Sequence, residues 1–474
     1  MRSTRSTRSI RRTKGAGRTG RTALCGAVCG ALLLTGCTGS DRPPPSDVPS
    51  THPPYTSRPI PAGKGSTLPD DLNGDGRPEL QLHAGDKDAL VPTHVAFLYG
   101  TGKGPDPKTR TILDAAGLGL PTRRVFHDEY TPRTSLTAPV KTADLDGDGY
   151  ADVATTRDRT PDDTAGTGTS RTEAYISWGT PKGPRPGRRA TRVRLGGHRI
   201  SPESGLERGD FNGDGKHDLL ASGAGRDGTA DRFFVLYGPF SRAGEPARVT
   251  EHKGMREEGL YVDEIAPGRA TGVVAASCHT GSKDSGLLFG AGPAGLGPPR
   301  EIPAGSLPAW GDFDGDPGRE VAVANDPTCD FYVEEESGPE WEPPPGAATT
   351  VKILDGTRVA RTVRIPKAAA PMDAGRLDGT GPEELLIGHG DPEDEMEDPA
   401  SPESLGVTLL SATRAPRALP HIPRNTTPHA IRDFDGDGRE EVVFVRGALM
   451  QGAKLYVTEG TSPTDRPAFL GTVP

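Results

Sequence analysis

The sequence is poor in the residues that build a single large core. Hydrophobic residues make up 32% of the 474 positions and aromatic residues only 5%. No stretch keeps a helical period of apolar residues, so a helical fold is not expected. With 64 glycines and 48 prolines the composition approaches that of disordered chains. The apolar residues nevertheless recur in a fixed phase, described below, and this recurrence argues against disorder.

The common catalytic signatures are absent as well. There is no Gly-x-Ser-x-Gly elbow, no His-Glu-x-x-His pair and no Walker loop. Three Gly-x-Gly-x-x-Gly matches, starting at Gly15, Gly223 and Gly290, do not open a helix in a βαβ unit and are expected by chance in a glycine-rich chain. The sequence therefore favours a protein without a catalytic site, with an enzyme as the alternative.

Cysteine is scarce, and three of the five residues, Cys25, Cys29 and Cys37, lie in an N-terminal processing signal. Residues 1–22 are basic and free of acids, and residues 23–34 form an apolar run too short to span a bilayer. The "LTGC" that ends at Cys37 resembles the lipobox of bacterial lipoproteins. We predict that residues 1–36 are a signal peptide and that lipid on Cys37 anchors the exported chain to the outer face of the cell membrane. Arg11 and Arg12 leave twin-arginine export open beside the general route.

The mature chain is then strongly acidic. Residues 1–36 carry eight basic and no acidic residues, so their removal takes the net charge from −9 to −17. This charge argues against a nucleic-acid partner and leaves room for divalent cations. The proline- and serine-rich residues 37–67 are expected to form an extended tether. Cys278 and Cys329 then remain, and two cysteines in an exported protein suggest one disulfide.

From residue 68 to residue 474 the chain repeats. Loops rich in aspartate and glycine begin at Asp71, Asp144, Asp210, Asp312 and Asp433, and degenerate copies begin at Glu264 and Arg376. Successive starts of these seven loops lie 48 to 73 residues apart. The second position of each loop is apolar, and three short β-type runs follow. Together with the segment before the loop, each repeat supplies four strands. This pattern predicts an all-β fold, a seven-bladed β-propeller of four-stranded blades.

The loop "DLDGDGYAD" places acidic side chains at positions 1, 3, 5 and 9, which are Asp144, Asp146, Asp148 and Asp152. Position 7, Tyr150, offers its carbonyl. This oxygen-only set suits Ca²⁺, which takes ligands at about 2.3–2.6 Å. An EF-hand is not expected, because β-type runs follow the loops and position 12 lacks glutamate.

These repeats resemble the FG-GAP or VCBS repeats found in integrin α-chain propellers and in bacterial exported proteins. The resemblance covers about residues 66–474 and implies Ca²⁺ in the loops between the first and second strands of certain blades. Four or five ions are expected, because four loops keep all five positions and a fifth has Pro317 where the turn glycine belongs. The implied ligands, with position 7 acting through its carbonyl, are Asp71, Asn73, Asp75, Arg77 and Glu79; Asp144, Asp146, Asp148, Tyr150 and Asp152; Asp210, Asn212, Asp214, Lys216 and Asp218; Asp312, Asp314, Asp316, Gly318 and Glu320; and Asp433, Asp435, Asp437, Arg439 and Glu441.

Two classes of function remain after these assignments. The first is a lipid-anchored binding, adhesion or scaffold module. The alternative is an extracellular hydrolase or lyase that acts on polysaccharide or phosphoester. We expect an unidentified protein or glycan to bind the face opposite the metal loops, where the long insertions fall: Leu113–Pro139, Thr156–Thr172, Asp326–Ala348 and His389–Ser404. The first insertion offers anchoring side chains, namely Arg123, Arg124, Phe126, His127 and Tyr130.

Overall fold

The fold is all β in the residues that the structure, a computed structural model, describes. Contacts divide the chain into residues 1–42 and residues 43–474, and every described residue lies in the second part. The described residues contain no helix, and so none among them is long and apolar enough to cross a membrane. The described residues are 58–85, 92–122, 134–136, 138–159, 171–201, 205–224, 232–253, 259–276, 285–303, 305, 307–324, 349–365, 372–389, 406–412, 414–419, 421–423, 426–446, 452–458 and 466–473.

The first repeat forms an antiparallel sheet of three strands, β1 (Leu80–Ala84), β2 (His94–Thr101) and β3 (Gly104–Asp114). The prediction of four strands per repeat is wrong here, because residues 66–70 before the loop pair with no strand. They run instead across the second repeat, where Ser66 N donates to Gly149 O at 2.8 Å. In place of a strand, Asp70 projects an acidic side chain toward the first strands of other repeats.

The second and third repeats are joined in one nine-stranded sheet. The link is the short strand β8, whose Ile200 pairs with Thr172 on one side and Gly223 on the other. The strands are β4 (Lys141–Ala143), β5 (Asp152–Arg159), β6 (Arg171–Ser177), β7 (Thr191–Arg192), β8 (Arg199–Ile200), β9 (Leu206–Gly209), β10 (Asp218–Ala224), β11 (Arg232–Tyr237) and β12 (Arg248–Lys253).

The last four repeats each form a separate four-stranded antiparallel sheet, as the sequence predicts. Successive strands are neighbours in every one, so each is a simple meander. The strands are β13 (Gly259–Val262), β14 (Val273–Ala276), β15 (Ser285–Gly292) and β16 (Gly295–Pro303); β17 (Leu307–Gly311), β18 (Glu320–Ala324), β19 (Thr349–Asp355) and β20 (Arg358–Ile365); β21 (Met372–Gly375), β22 (Glu384–Gly388), β23 (Val407–Leu410) and β24 (Arg417–Ala418); and β25 (Thr426–Arg432), β26 (Glu441–Arg446), β27 (Lys454–Thr458) and β28 (Ala468–Thr472).

The core is divided among seven hydrophobic clusters rather than gathered in one centre. Each cluster combines buried side chains of two successive repeats, and one of them combines the last repeat with the first. In that cluster Phe434 and Val443 pack with Leu80 and Leu98. Both faces of a central strand such as β18 are therefore buried, and a modest apolar content suffices.

Two boundaries differ from the sequence analysis. Strand β5 extends to Arg159 and β6 begins at Arg171, so the two ends of the predicted insertion Thr156–Thr172 are strand residues. Residues 58–67, assigned to the tether, contact the sheets: Ile60 packs on the first cluster, and Gly65 N donates to Gly74 O at 3.1 Å. The last ten residues of the predicted tether are therefore bound to the domain.

Candidate metal centres

The acidic loops share one backbone conformation set by the aspartate at position 1. In the first loop, Asp71 Oδ1 accepts the backbone N–H groups of Gly74 and Asp75, and Oδ2 accepts that of Gly76 at 2.6 Å. Gly74 and Gly76 have φ of 70° and 89°, which only glycine adopts without strain. Asp144 and Asp433 accept the same three bonds in their loops.

The far end of each loop is fixed by the carboxylate at position 9. It accepts the backbone N–H of the apolar residue at position 2, which is itself buried between sheets. In the last loop, for example, Phe434 N donates to Glu441 Oε2 at 2.7 Å. The apolar residue that marked the repeat in the sequence thus holds the loop to the core, and the last carboxylate closes it.

Four of the five predicted loops bring carboxylates together. In each group one oxygen per residue lies within 4.8 Å of the others, close enough to share a cation. The members contain no histidine or cysteine, so the donors are the hard oxygens that Ca²⁺ prefers. The groups are Asp71, Asp75 and Glu79; Asp144, Asp146 and Asp152; Asp312, Asp314 and Glu320; and Asp433, Asp435, Asp437 and Glu441.

The environment of these carboxylates fits a cation. Glu79 Oε1 and Asp146 Oδ1 are buried and have no hydrogen-bond partner, an arrangement that costs free energy unless a positive group is near. Burial and the neighbouring aspartates raise the pKa of Glu441 to about 8. Burial, likewise the largest cause, raises that of Asp218 to about 8. Without a cation these groups favour the protonated form at neutral pH, and a divalent ion would displace the protons.

Residues at position 7 serve the loops through their backbone. The N–H groups of Arg77, Tyr150 and Arg439 donate to the aspartate at position 5 at 2.9–3.1 Å, and those of Lys216 and Gly318 make the same bond. The predicted role of these five carbonyls as ligands stays a prediction. Their side chains are free for other contacts, as when Arg77 Nε donates to Asp435 O in the last loop at 3.0 Å.

The loop at 210–218 keeps the hydrogen bonds but not the carboxylate group. Asp210 accepts the backbone N–H groups of Asp214 and Gly215 at 3.0 and 2.8 Å. Asn212 stands where three other loops have aspartate, and its amide donates to Asp214 Oδ2 at 2.9 Å. The carboxylates of this loop are not among the four groups described above. Its role as a site stays a prediction.

The loop at 312–320 shows the effect of Pro317. Gly315 N donates to Asp312 Oδ1 at 2.7 Å. Because proline has no N–H group, the bond that position 6 donates to Oδ2 in the first loop cannot form here. The carboxylates of Asp312, Asp314 and Glu320 still meet. This loop therefore keeps its ligands on a less restrained backbone.

In the loop at 144–152 an arginine already neutralises two of the predicted ligands. The guanidinium of Arg242 pairs with Asp146 through Nε and with Asp148 Oδ2 through Nη2 at 2.7 Å. Arg242 belongs to a turn between β11 and β12, almost a hundred residues away in the sequence. No spacing rule could have revealed this pair, and it bears directly on how a cation could enter the loop.

Sequence reasoning also missed a charged group among the first strands of the repeats, here called the inner cluster. Asp70 accepts from Thr142 at 2.5 Å and from Arg208 Nη2 at 2.6 Å. Arg432 Nη1 lies 2.5 Å from Glu264, and Arg319 lies 3.1 Å from Asp263 and 2.5 Å from Glu383. The inner cluster comprises Asp70, Arg208, Asp263, Glu264, Arg319, Asp373, Glu383 and Arg432.

Two opposing effects set the pKa values of the carboxyl groups in the inner cluster: burial raises them, and nearby arginines lower them. Burial alone would raise the pKa of Asp70, but the charge and hydrogen bonds of Arg208 outweigh it and hold the pKa far below its usual range. Asp373 lacks such a close cation, and burial raises its pKa to about 6. The cluster has no sequence motif, because its members occupy different positions in their repeats and meet only when the first strands do.

Several predicted positions lie outside the described residues. These are the lipidated Cys37, the cysteines of the predicted disulfide, Cys278 and Cys329, and the anchoring side chains Arg123, Arg124, Phe126, His127 and Tyr130. Most of the long insertions lie there as well. These assignments stay predictions.

Comparisons with known proteins assign neither a family nor a function. No protein-family model matches the chain, and no curated protein matches it. Among solved structures, one described as "Structure of Dos1 propeller" is 10% identical, with a TM-score of 0.34, over 87% of this chain and 88% of that one. A likeness this distant has no bearing on function.

Proposed function

We propose that this protein is a lipid-anchored, exported, Ca²⁺-binding β-propeller of seven blades, of the FG-GAP type, that acts as a binding or scaffold module. Support for the blade count comes from the seven clusters, each shared by successive repeats, with the last joined to the first. The anchor and the export rest on the sequence before residue 38.

The observation that carries the calcium assignment is the shared loop geometry. Four separate loops, at equivalent places in four repeats, bring carboxylates within 4.8 Å of one another. Repulsion among clustered carboxylates destabilises each loop unless a cation neutralises it. The same arrangement in four repeats therefore favours a bound cation in each. Oxygen ligands, glycine turns and a site built on a rigid strand pair suit Ca²⁺.

The first prediction is that calcium stabilises the folded chain. An ion that binds only the folded state adds about 2.7 kcal/mol at a hundred times its Kd. We therefore expect the Tm of the full-length protein to fall markedly when a chelator is added in excess and to recover when Ca²⁺ is returned. Native mass spectrometry should count four or five ions. A melt that is unchanged in excess chelator would refute the assignment.

A single-loop variant localises the ions. Asp437→Ala removes position 5 of the last loop, and we expect the count to drop by one with the other loops still loaded. Asp355→Ala is the matched control, since it removes an exposed aspartate from a hairpin outside any metal loop. Loss of an ion in the control would show that the count reflects surface charge.

The inner cluster is the observation that favours the alternative, a hydrolase or lyase. Asp373 has a pKa of about 6, which suits proton transfer near neutral pH. The cluster is, however, mostly paired: Arg208, Arg319 and Arg432 already occupy their carboxylates. A panel of polysaccharide and phosphoester substrates tests this alternative. Turnover that Asp373→Asn abolishes, with Tm unchanged, would favour the enzyme over the binding module.

A further inference from the structure

An open cleft of about 390 Å³ lies beside the loop at 144–152. It is bordered by the connection from β6 to β7 and by the turn from β11 to β12. Its lining includes Asp148 and Trp178 and four arginines: Arg185, Arg188, Arg189 and Arg242. This is a concentration of positive charge on a protein whose net charge is −9.

Three of these arginines have no counter-charge among the described residues. Arg185, Arg188 and Arg189 are exposed, and none makes a side-chain hydrogen bond or ion pair to another residue within the described ranges. They belong to residues 182–194, which carry six basic residues and no acid. A cleft lined by charge of one sign raises the local concentration of anions, so these side chains are suited to attract an anionic ligand.

The backbone that carries them is held in place. Gly187 N donates to Gly117 O at 2.7 Å, and Ala190 N donates to Gly119 O at 2.9 Å, so the segment is bound to the first repeat. The approach is so close that a Cβ on Gly119 would lie 1.7 Å from Arg188 O. The guanidinium groups are therefore presented from a fixed base, which lowers the entropy cost of binding.

The fourth arginine faces both the cleft and the metal loop. Arg242 pairs with Asp146 and Asp148, and its Cζ lies 4.7 Å from the centroid of the Trp178 ring. Its turn is attached to the same loop through Phe240 N, which donates to Leu145 O at 2.7 Å. A change in the charge or position of these loop carboxylates would therefore change the position of the Arg242 side chain.

We propose that this cleft binds the carboxylate groups of an acidic polysaccharide, and that Ca²⁺ in the loop at 144–152 releases Arg242 to take part. The second half rests on the proposed calcium function. A cation held by Asp144, Asp146 and Asp152, with Asp148 as the further predicted ligand, would compete for the carboxylates that now pair with Arg242 and would repel its guanidinium. Once released, Arg242 joins the other three arginines and uncovers one face of the Trp178 indole.

A polysaccharide fits the lining better than an acidic peptide. Guanidinium groups bind carboxylates through two parallel hydrogen bonds. Trp178 is only 4% exposed, with Arg242 over its ring, and once Arg242 is released the indole would offer an apolar face to a sugar ring. Peptide interfaces depend on buried apolar anchors. The large apolar side chains exposed among the described residues are Leu68, Val359 and Phe469, and none of them borders the cleft.

The test measures binding of the full-length protein to hyaluronan, a carboxylate polysaccharide, with dextran as the neutral polymer and polyglutamate as the acidic peptide. The variant Arg185→Gln/Arg188→Gln/Arg189→Gln should bind hyaluronan about tenfold more weakly, because three charge-assisted contacts are lost. The matched control, Arg364→Gln/Arg446→Gln/Lys454→Gln, removes three exposed positive charges elsewhere and should bind as the wild type does.

Each result of this arm decides the assignment. If the triple variant binds hyaluronan as strongly as the wild type, the cleft is not the binding site. An equal loss of affinity in the control variant would also refute the assignment, because it would indicate non-specific attraction. Polyglutamate that binds as tightly as hyaluronan, and loses affinity in the same triple variant, would make the occupant an acidic peptide instead. This arm is run in chelator as well, so it does not depend on calcium.

The calcium arm uses Arg242→Gln. Ca²⁺ should strengthen hyaluronan binding by the wild type several-fold. Because coupling between two ligands is reciprocal, hyaluronan should raise the affinity of the protein for Ca²⁺ by the same factor. Arg242→Gln should abolish both effects. If native mass spectrometry finds no Ca²⁺ on the wild type, the proposed calcium function fails while the cleft is still judged by the triple variant. If Ca²⁺ binds but does not change the affinity for hyaluronan, the proposal that Ca²⁺ releases Arg242 is wrong.

Discussion

At the scale of single residues, the charged side chains of the inner cluster show how burial decides how much an ion pair contributes to stability. Arg208 and Asp70 are largely buried, with 18% and 15% of their side chains exposed, whereas Arg358 and Asp355 are 73% and 58% exposed. A buried carboxylate that loses its partner keeps its desolvation cost, while an exposed one is solvated by water. The same chemical pair should therefore matter in one place and not in the other.

We predict that Arg208→Met destabilises the fold by about 3 kcal/mol, the range found when one partner of a buried pair is removed. Arg358→Met, the matched surface change, should cost less than about 1 kcal/mol. Denaturant unfolding of both variants, with Ca²⁺ at a fixed concentration, measures the two values. Equal effects would mean that the inner pair contributes no more than a surface contact.

Asp373 gives the inner cluster a pH dependence of defined sign. Its pKa in the folded protein, about 6, lies above the ordinary value of 3.8, so the folded state binds the proton more tightly. This contribution to stability is fully present below about pH 4 and is lost as the pH rises through about 6. Asp373→Asn should therefore be less sensitive to pH between 4 and 6 than the wild type.

The measurement is the Tm of both proteins across that range in the same calcium buffer. Asp355→Asn, at an exposed hairpin, serves as the control and should follow the wild type. An unaltered slope in Asp373→Asn would show that this carboxyl is not the group responsible.

At the scale of elements, the acidic loops differ in how firmly the backbone holds the candidate ligands. Pro317 removes one N–H group from the loop at 312–320, and the first loop shows what that group does, since Gly76 N donates to Asp71 Oδ2. A loop with fewer internal bonds must be ordered when the ion binds, which weakens affinity.

We predict that Pro317→Gly tightens Ca²⁺ binding at this loop, because glycine supplies the missing donor and adopts the required positive φ. Gly438→Ala is the reverse change in the last loop. Gly438 has a φ of 90°, and a Cβ there would meet no atom within 4 Å, so only backbone strain is added, at about 1–2 kcal/mol. Calorimetric titration should show tighter binding in the first variant and weaker binding in the second. The opposite order would contradict this account of the loop.

At the scale of the whole molecule, the packing of the last repeat on the first joins the two ends of the described sheets. Phe434 is fully buried in that cluster, next to Leu80 and Leu98 of the first sheet. The contact involves side chains and a few hydrogen bonds, such as Arg77 Nε to Asp435 O, rather than a shared strand. Stability of the ring that we propose therefore depends on core packing between the ends.

We predict that Phe434→Ala lowers the free energy of unfolding by about 3–5 kcal/mol, the usual cost of removing a buried phenylalanine. Phe469→Ala, in the last strand but 60% exposed, is the matched control and should change stability little. Chemical denaturation measures both. A small effect at Phe434 would indicate that the first and last sheets do not depend on each other.

Much of the local structure was predictable because it follows from short-range chemistry. The apolar residue at position 2, the glycines at positions 4 and 6 and the carboxylates at odd positions act within nine residues, and the structure places them in common loops with Leu72, Phe313 and Phe434 buried as expected. The four-stranded sheets of the last four repeats follow from the same spacing. The missing strand before Asp71 did not, because its absence depends on what residues 63–66 contact elsewhere.

The sequence by itself thus determined the class of fold, the repeat and the candidate ligands, because each of these depends on side chains close together along the chain. Only the tertiary structure decided what meets across repeats. It brings Arg242 to Asp146 and Asp148, gathers Asp70, Arg208 and Arg432 among the first strands, and places arginines of residues 182–194 beside the acidic loop at 144–152. These partners are separated by tens to hundreds of positions, and only the packing of whole sheets, which no local pattern encodes, sets their distances.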